Sequence, residues 1–252
     1  MTSDFEGRCQ IDPFTTIQRD ELIARAEQAG HSLFDEELNC LRRNLIPLKY
    51  IKTVNAIGVQ NTIQLRLSSV LILGCGGVGD YVCECLARIG VGRLKVVDGD
   101  VFTESNLNRQ LYCYEDNLGS PKAVETAKAL QRINSANSIL AINEFIHGDS
   151  CKTIIENSDL VIDALDRIED RLPISSECAK LNIPYVFGNI GSYSYRISVQ
   201  GAGEQLLERL YSQVNEVDIH EGAPVISAAY CGVAMAAEAV KYLCKMDDVL
   251  IS

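Results

Sequence analysis

The sequence has no long hydrophobic run and no excess of positive charge. Its longest apolar stretches, such as residues 70–73 and 234–237, fall far short of the roughly 20 residues that a membrane-spanning helix needs. Lysine and arginine total 23 residues against 34 aspartates and glutamates, which gives a net charge of −11. Because this charge repels anionic membranes and nucleic acids, neither is an expected partner.

The ten cysteines lack the spacing of a metal site. They stand at positions 9, 40, 75, 83, 85, 113, 151, 178, 231 and 244. No C-x-x-C pair occurs, and Cys83 and Cys85 point to different faces of a predicted helix. The N-terminus resembles no export signal, so we expect a cytoplasmic chain with reduced thiols. We therefore expect no zinc site, and we expect most cysteines to be buried as small hydrophobic residues.

The first quarter of the chain differs from the rest. Two polar, helix-like stretches, residues 17–29 and 34–43, precede the segment 47–53. We predict that residues 1–66 form a helical N-terminal extension and that residues 67–252 form one large domain. The role of the extension, as a docking appendage for a partner or as a structural cap, stays open.

From residue 68 onward, apolar strands alternate with amphipathic helices, which is typical of parallel strands joined by crossovers. The predicted strands are residues 70–73, 94–97, 139–145, 160–162, 185–187 and 196–199. The predicted helices are residues 80–89, 122–133, 151–156, 169–181 and 226–244, and the last one has a face of small residues suited to close packing. The predicted fold is α/β: a Rossmann-like, three-layer, mostly parallel sheet with helices on both faces.

A glycine-rich turn, Gly74-Cys-Gly-Gly-Val-Gly79, joins the first core strand to its helix. Such glycines let backbone N–H groups approach phosphate at a helix N-terminus. Asp98 ends the second strand, where a carboxylate can accept hydrogen bonds from ribose hydroxyls. On these features alone, an NAD-dependent dehydrogenase is the leading interpretation, and glycines used only for packing are the alternative.

The residues that follow carry more charge than hydride transfer requires. Three short motifs after Asp98 carry Arg109, Lys122 and the pair Asp163 and Asp166. Breaking the bond between the α- and β-phosphates of ATP does require fixed cations, and a carboxylate can hold magnesium there. The charge pattern therefore favours ATP over a nicotinamide cofactor.

Together, these motifs resemble the MoeB/ThiF/HesA family, the bacterial relatives of ubiquitin-activating enzymes. The matching motifs are Gly74 to Gly79, Asp98-x-Asp100, Ser105-Asn-Leu-Asn-Arg-Gln110, Pro121-Lys122 and Asp163-x-x-Asp166. The resemblance covers residues 45–250. It implies an ATP-dependent adenylyltransferase that activates a C-terminal carboxylate as an acyl-adenylate and releases pyrophosphate.

The resemblance also implies which residues bind ATP and Mg²⁺. The expected ATP-binding residues are Gly74, Gly76, Gly77, Gly79, Asp98, Asp100, Asn106, Arg109, Gln110 and Lys122. Asp98 would bind the ribose, Arg109 and Gln110 would face the phosphates, and Lys122 would neutralise the α-phosphate. Asp166 would hold magnesium.

The family's cation from a neighbouring subunit corresponds here to Lys52, with Arg43 as the competing candidate. This correspondence implies a homodimer in which Lys52 joins Arg109, Lys122 and Asp166 as a catalytic residue. Lysine keeps the charge but lacks the bidentate fork of arginine. The chain also departs from the family at Arg167, where many members have asparagine.

Structural interpretations compete with these roles. Arg109 could be a surface residue that forms an ion pair, and Lys122 could be solvated in the first turn of a helix. Asp163 fits a strand-end group that supports the site. Arg171 matches an arginine often found after the magnesium aspartate, although a solvated helix face would explain it as well.

The cysteine pattern disfavours a thioester mechanism. Many family members place a cysteine in the crossover that corresponds to residues 201–224, and this stretch has none. Cys178 and Cys231 are the remaining candidate nucleophiles, but each lies in an apolar helical pattern. Glycines 201, 203 and 222 are candidate hinges for a substrate tail that enters under this crossover.

The implied substrate is a ubiquitin-like sulfur carrier protein with a Gly-Gly tail, and a separate protein would donate the sulfur. Three alternatives remain open. The substrate could be a peptide precursor or a tRNA-linked threonyl carboxylate; the chain could be a non-catalytic, nucleotide-binding partner subunit; or it could be a Rossmann oxidoreductase.

Overall fold

The computed structural model describes residues 14–146, 151–211 and 224–250 in two compact units, Met1–Val59 and Gln60–Ser252. The boundary follows Gly58, whose φ of 81° breaks the helix Ile51–Leu67 into two parts. A positive φ of this size favours glycine. The sequence instead predicts the boundary between residues 66 and 67, at the end of the same helix.

The N-terminal unit is part helix and part strand. Its elements are β1 (Thr15–Ile17), α1 (Arg19–Ala29), α2 (Leu33–Arg42), β2 (Leu45–Pro47), a 3-10 turn (Leu48–Tyr50) and the first part of α3 (Ile51–Leu67). β1 and β2 pair in parallel, and Ile17, Leu22 and Cys40 form a small buried core. The two helices were predicted, but β1 and β2 are too short to show a strand periodicity in the sequence.

The large unit contains a six-stranded sheet. Its strands are β3 (Ser69–Leu73), β4 (Arg93–Val97), β5 (Ser138–Ile142), β6 (Leu160–Asp163), β7 (Tyr185–Ile190) and β8 (Tyr195–Gln200). The order across the sheet is β5-β4-β3-β6-β7-β8, and only the β7–β8 pair is antiparallel. The predicted α/β fold with a mostly parallel sheet is confirmed.

Helices cover both faces of this sheet. They are α4 (Gly79–Ile89), α5 (Lys122–Ile133), α6 (Cys151–Ile155), α7 (Ile168–Lys180), α8 (Leu206–Tyr211) and α9 (Val225–Leu243). α4, α5 and α9 pack on one face, while α6, α7 and α8 pack on the other against Leu71, Val161 and Tyr185. Within the described ranges, no helix is long and apolar enough to cross a membrane.

The small-residue face of α9 packs closely on α4, as predicted. A Cβ atom at Gly232 would lie 2.4 Å from the carbonyl oxygen of Val78, so only glycine fits there. Ala228, Met235 and Ala239 on the same helix are fully buried. The start of α4 is therefore supported by α9.

The centre of the sheet contains a topological switch point. β3 and β6 are neighbours, and the chain moves from β3 to β4 on one side and from β6 to β7 on the other. A crevice forms outside the carboxyl ends of strands at such a point and is the usual ligand site of this fold. The glycine turn follows β3, and the Asp163 to Asp166 motif ends β6, so both meet there.

Candidate active site

The glycine turn after β3 packs against the end of β6. Gly74 has a φ of 92°, and a Cβ atom there would lie 2.8 Å from the carbonyl oxygen of Ala164. A Cβ atom at Gly79 would lie 1.8 Å from the carbonyl oxygen of Gly74. Both positions therefore require glycine, and the turn delivers the chain directly into α4.

Two other glycines make room for polar side chains. A Cβ atom at Gly77 would lie 3.2 Å from Cγ of Arg109, and one at Gly76 would lie 3.6 Å from Nε2 of Gln110. Arg109 and Gln110 thus lie over the turn that leads into the N-terminus of α4. The partial positive charge of a helix N-terminus adds to the arginine charge, which favours an anion.

Gln110 has an unsatisfied acceptor. The residue is 7% exposed, and within the described residues its Oε1 has no hydrogen-bond partner. Buried polar atoms nearly always have a partner in the protein, a water or a ligand. A donor from a bound molecule at this end of the turn would satisfy Gln110.

The Asp98 carboxylate is attached to the turn. Its Oδ2 accepts the N–H of Cys75 at 2.7 Å, and its Oδ1 accepts the N–H of Asp100 at 2.8 Å. Burial raises the pKa of Asp98 above its usual value, although both N–H groups and the ammonium of Lys122 oppose the shift. Each oxygen keeps an acceptor site, so the carboxylate is placed to accept ribose hydroxyls.

Lys122 is buried at the start of α5, so the interpretation of a solvated residue is wrong. Its Nζ lies 3.1 Å from Oδ2 of Asp100, and its backbone N–H donates to the carbonyl of Asp100 at 2.9 Å. The lysine side chain is 9% exposed, whereas that of Asp100 is 56% exposed. The ammonium is thus held next to Asp98 by a carboxylate that solvent can reach.

Asn106 ends a 3-10 turn, Glu104–Asn106, and Arg109 lies in the turn that follows it. The Arg109 guanidinium donates to the carbonyl of Ser105 and to Oδ1 of Asn108, both at 2.8 Å. These acceptors are neutral, which is not the surface ion pair of the alternative interpretation. Asn106 is buried, and its Oδ1 accepts the N–H of Thr103 at 3.0 Å, so its amide caps the segment that presents Arg109.

The motif at the end of β6 is organised by a buried arginine. Asp163 is fully buried, and its Oδ2 accepts a hydrogen bond from Tyr185 and lies 3.5 Å from Nε of Arg171. The Arg171 guanidinium also donates to the carbonyls of Leu165 and Gly188. A solvated helix face is therefore wrong for Arg171, and Asp163 is the strand-end group that the sequence predicts.

Asp166 follows this turn with an exposed side chain, just before α7. Among the described residues, no group of three or more His, Cys, Asp or Glu side chains could hold a metal ion by itself. Magnesium usually combines one or two carboxylates with substrate phosphates and water. One exposed carboxylate after the carboxyl end of β6 fits a magnesium ion that arrives with a polyphosphate.

Lys52 and Arg43 belong to the N-terminal unit. Lys52 lies in the first turn of α3 and Arg43 caps the C-terminus of α2, and both side chains are exposed. That a second subunit supplies a cation, from Lys52 or from Arg43, stays a prediction. Gly222, one of the candidate hinges, lies outside the described residues.

The described cysteines are poor nucleophiles. Eight of these nine thiols are buried and Cys85 is partly buried, which confirms the expectation of small hydrophobic residues. Burial raises the pKa of Cys231 to about 12 and that of Cys178 above its ordinary value. Because the thiolate is the reactive form, neither thiol is suited to covalent catalysis.

Phe145 is a site residue that the sequence did not single out. It was predicted to end a strand, but β5 stops at Ile142, and the Phe145 side chain is 61% exposed. A Cβ atom at Gly99 would lie 2.7 Å from its ring, so the ring rests on the backbone beside Asp98. The sequence feature that could have indicated a close contact here is Gly99, which lies between Asp98 and Asp100.

A family model and named relatives match this chain. A model of the ThiF family matches residues 50–251. The adenylyltransferase and sulfurtransferase MOCS3 of Xenopus laevis is 37% identical over 182 residues, 70% of this chain and 40% of that protein. The SAMP-activating enzyme E1 of Haloferax volcanii is 33% identical over 137 residues, 54% of this chain and 51% of that protein. The chain therefore spans about half of these relatives or less.

Solved structures have the same fold. The E. coli tRNA N6-threonylcarbamoyladenosine dehydratase TcdA superposes with a TM-score of 0.66 at 24% identity, over 79% of this chain and 95% of that one. E. coli MccB with AMPCPP and MccA superposes with a TM-score of 0.69 at 20% identity, over 80% of this chain and 65% of that one. At these identities the likeness establishes the fold alone. The family match over residues 50–251 goes further: the chain belongs to the ThiF family.

Proposed function

We propose that this chain is an ATP-dependent adenylyltransferase that activates the C-terminal carboxylate of a ubiquitin-like sulfur carrier protein. One observation carries the proposal: the glycine turn is hydrogen-bonded to Asp98 on one side and covered by Arg109 on the other, with Lys122 beside Asp100. A nucleoside acceptor next to phosphate-binding cations suits ATP better than a nicotinamide cofactor. A dehydrogenase is therefore the weaker interpretation.

In the proposed reaction, a carboxylate oxygen of the carrier attacks the α-phosphorus of ATP. The bond from this phosphorus to the oxygen bridging to the β-phosphorus breaks, so an acyl-adenylate forms and pyrophosphate leaves. Lys122 would stabilise the charge on the α-phosphate and Arg109 the charge on the leaving group. Asp166 would hold Mg²⁺, which neutralises phosphate charge when bound.

The nucleoside would lie along the turn. Asp98 would accept the ribose hydroxyls, and the exposed ring of Phe145, on the backbone next to Asp98, would stack on the adenine. Stacking of a base on an aromatic ring stabilises binding by about 1–3 kcal/mol. Gln110 would use its unsatisfied Oε1 to accept a hydrogen bond from the bound molecule or from a water beside it.

The names of the relatives support the choice of substrate. One is named an adenylyltransferase and sulfurtransferase, and another is named a SAMP-activating enzyme E1. The carrier would end in Gly-Gly, and because Cys178 and Cys231 have raised thiol pKa values, a separate sulfur donor would convert the adenylate. A cytoplasmic homodimer, with Lys52 or Arg43 reaching the partner's ATP, completes the proposal.

Two other acyl substrates follow from the structural neighbours. MccB was solved with MccA and its variants, and TcdA is named for a modified tRNA. The net charge of −11 opposes tRNA binding unless a local basic patch overcomes it. A peptide substrate would use the same carboxylate chemistry, so the experiment below separates it from a carrier protein.

The test is pyrophosphate–ATP exchange with magnesium and candidate Gly-Gly carriers. We expect exchange that requires the carrier's terminal carboxylate and is lost in Asp166→Ala. Asp170→Asn is the matched control, because Asp170 is a nearby carboxylate in the first turn of α7 and pairs with Arg167 at 3.7 Å. ATP binding without exchange for any carrier would refute the carrier protein as the substrate. It would favour a peptide or tRNA substrate, or a non-catalytic subunit. A melting temperature raised by NAD and not by ATP would refute the proposed ATP-dependent activity.

The position of the base has its own optical test. The chain contains no tryptophan, so Phe145→Trp introduces a single indole. Stacked adenine should quench its fluorescence when ATP binds. Leu140→Trp is the control, because Leu140 is 52% exposed on β5 and its fluorescence should not respond. Equal responses of the two variants would refute the stacking role of Phe145.

A further inference from the structure

A fully buried carboxyl group, Asp80, lies behind the glycine turn in the first turn of α4. Two other segments donate hydrogen bonds to it. The N–H of Tyr112 lies 3.4 Å from Oδ2, and the hydroxyl of Thr126 lies 3.2 Å from Oδ1. Burying a carboxyl group is costly unless such bonds compensate for lost water. One side chain therefore joins three segments of the chain.

Each of these segments carries part of the candidate active site. α4 begins at Gly79, the last glycine of the turn. Tyr112 follows Arg109 and Gln110 closely, and Thr126 lies one helical turn after Lys122 on α5. The carboxyl group of Asp80 thus ties the turn to the segments that hold both proposed phosphate-binding cations.

Charged and titratable groups face Asp80 from every one of these segments. They are Tyr81 and Cys83 on α4, Cys75 in the glycine turn, Asp98 after β4, Tyr112 and Cys113 in the loop and Lys122 on α5. Burial raises the pKa of Asp80 to about 7, while the two hydrogen bonds and the ammonium of Lys122 act against the rise. The group therefore changes charge near neutral pH.

We infer that Asp80 is a positioning residue that fixes Arg109, Gln110 and Lys122 relative to the glycine turn, an inference that rests on the proposed function. Asp80 acts through the backbone of Tyr112 and the side chain of Thr126 and touches no reacting atom. Its ionised form accepts both hydrogen bonds most strongly. The cations should therefore be best placed for a triphosphate above neutral pH.

The test compares the dissociation constants of ATP and AMP, measured by calorimetry. Thr126→Val removes the hydroxyl at nearly constant volume, and Asp80→Asn replaces one acceptor oxygen with a donor. Each should weaken ATP binding about tenfold, the effect of one lost charge-assisted hydrogen bond. AMP binding should change less, because AMP lacks the β- and γ-phosphates. Thr126→Ser keeps the hydroxyl and should restore the ATP preference.

Tyr112→Phe is the matched control. It removes the hydrogen bond from the Tyr112 hydroxyl to Glu84 on the same helix, at 2.6 Å, and keeps the backbone N–H that Asp80 accepts. This variant should lower the melting temperature without changing the ratio of ATP to AMP affinity. A purely structural role for Asp80 would give the same result in Asp80→Asn.

A pH series supplies the second readout. The ratio of ATP to AMP affinity in the unmodified chain should rise through a midpoint near pH 7, and this rise should be absent in Asp80→Asn. Comparing the two chains at each pH cancels the titration of the nucleotides. Asp80→Asn and Thr126→Val with an unchanged ratio would overturn the inference alone, whereas an unmodified chain that binds neither nucleotide would also overturn the proposed function.

Discussion

The two sides of the crevice are built differently. On the β3 side, both oxygens of Asp98 are held by backbone N–H groups, and Gly74 and Gly79 let the turn pack closely on neighbouring backbone. On the β6 side, Asp166 is exposed. The ordered contacts there belong to the residues before it, since Arg171 pairs with Asp163 and donates to the carbonyl of Leu165. On the β3 side, where we propose that the nucleoside binds, hydrogen bonds fix the Asp98 carboxylate itself. On the β6 side, where we propose that magnesium binds, they fix only the turn that precedes Asp166.

The largest effect should come from removing the support of the β6 side. Arg171→Leu leaves Asp163 buried without its cation and should lower the free energy of unfolding by about 3–5 kcal/mol, measured by urea denaturation. Arg167→Leu is the control, because Arg167 is exposed and its pair with Asp170 at 3.7 Å should contribute less than about 1 kcal/mol. Equal losses would mean that the buried arginine does not organise this side.

The β3 side should show a pH-dependent cost from Asp80. Its pKa rises from 3.8 to about 7 on folding, so between these values the unfolded chain releases the proton before the folded chain does. Stability contributed by the protonated carboxyl is therefore lost as pH rises, by about 4 kcal/mol. Asp80→Asn lacks this loss, so its stability relative to the unmodified chain should increase from pH 4 to pH 8. Parallel urea-denaturation series would contradict the buried titration.

Two alanine substitutions test how tightly the glycine turn is packed. Gly79→Ala forces a Cβ atom to within 1.8 Å of the carbonyl oxygen of Gly74, so we expect a loss of about 3 kcal/mol in unfolding free energy. Gly77→Ala places its Cβ atom 3.2 Å from Cγ of Arg109, which can shift, and 3.3 Å from the Cβ atom of Ala228, which is buried on α9. Because no backbone atom lies this close, its loss should be smaller, about 1 kcal/mol. Calorimetric melting of both variants shows whether the turn rejects every added side chain, or only one that would contact the backbone.

The smallest expected effect is a change in adenosine affinity, which should distinguish the role of Asp98 from that of Asp166. Asp98→Asn should weaken adenosine binding about tenfold, because an amide cannot accept both N–H groups and the ribose as a carboxylate does. Asp166→Asn should leave adenosine binding unchanged in the absence of magnesium. Equilibrium dialysis with labelled adenosine measures both. A loss with Asp166→Asn would show that the two sides of the crevice do not act separately.

The sequence predicted the elements that obey a simple period. The helix predicted at residues 122–133 is α5, Lys122–Ile133, and all six core strands were found, because repeated apolar positions extend over whole elements. α8 was missed, since its six residues are too few for a periodic signal. The fold of the large unit was therefore readable, but its short connections were not.

The site was predicted less completely, because burial of a polar residue depends on distant segments. Lys122 and Arg171 were weighed as solvated residues, and each is buried by partners that only the folded chain brings near. Asp80 follows the glycine motif directly, yet nothing local indicates that Tyr112 and Thr126 will enclose it. Motif spacing identified the residues, and tertiary packing determined their environments.

The contact between Gly232 and Val78 limits which substitutions α9 can accept. At residue 232 there is room only for a hydrogen atom between α9 and the backbone at the start of α4. A larger residue at this position would push α9 away from the end of the glycine turn. Random mutagenesis of α9 should therefore tolerate changes on its outward side, where Tyr230 and Val233 are exposed, and reject them at this one inward position. A helix distant in sequence from the glycine motif thus carries part of the packing constraint on the glycine turn.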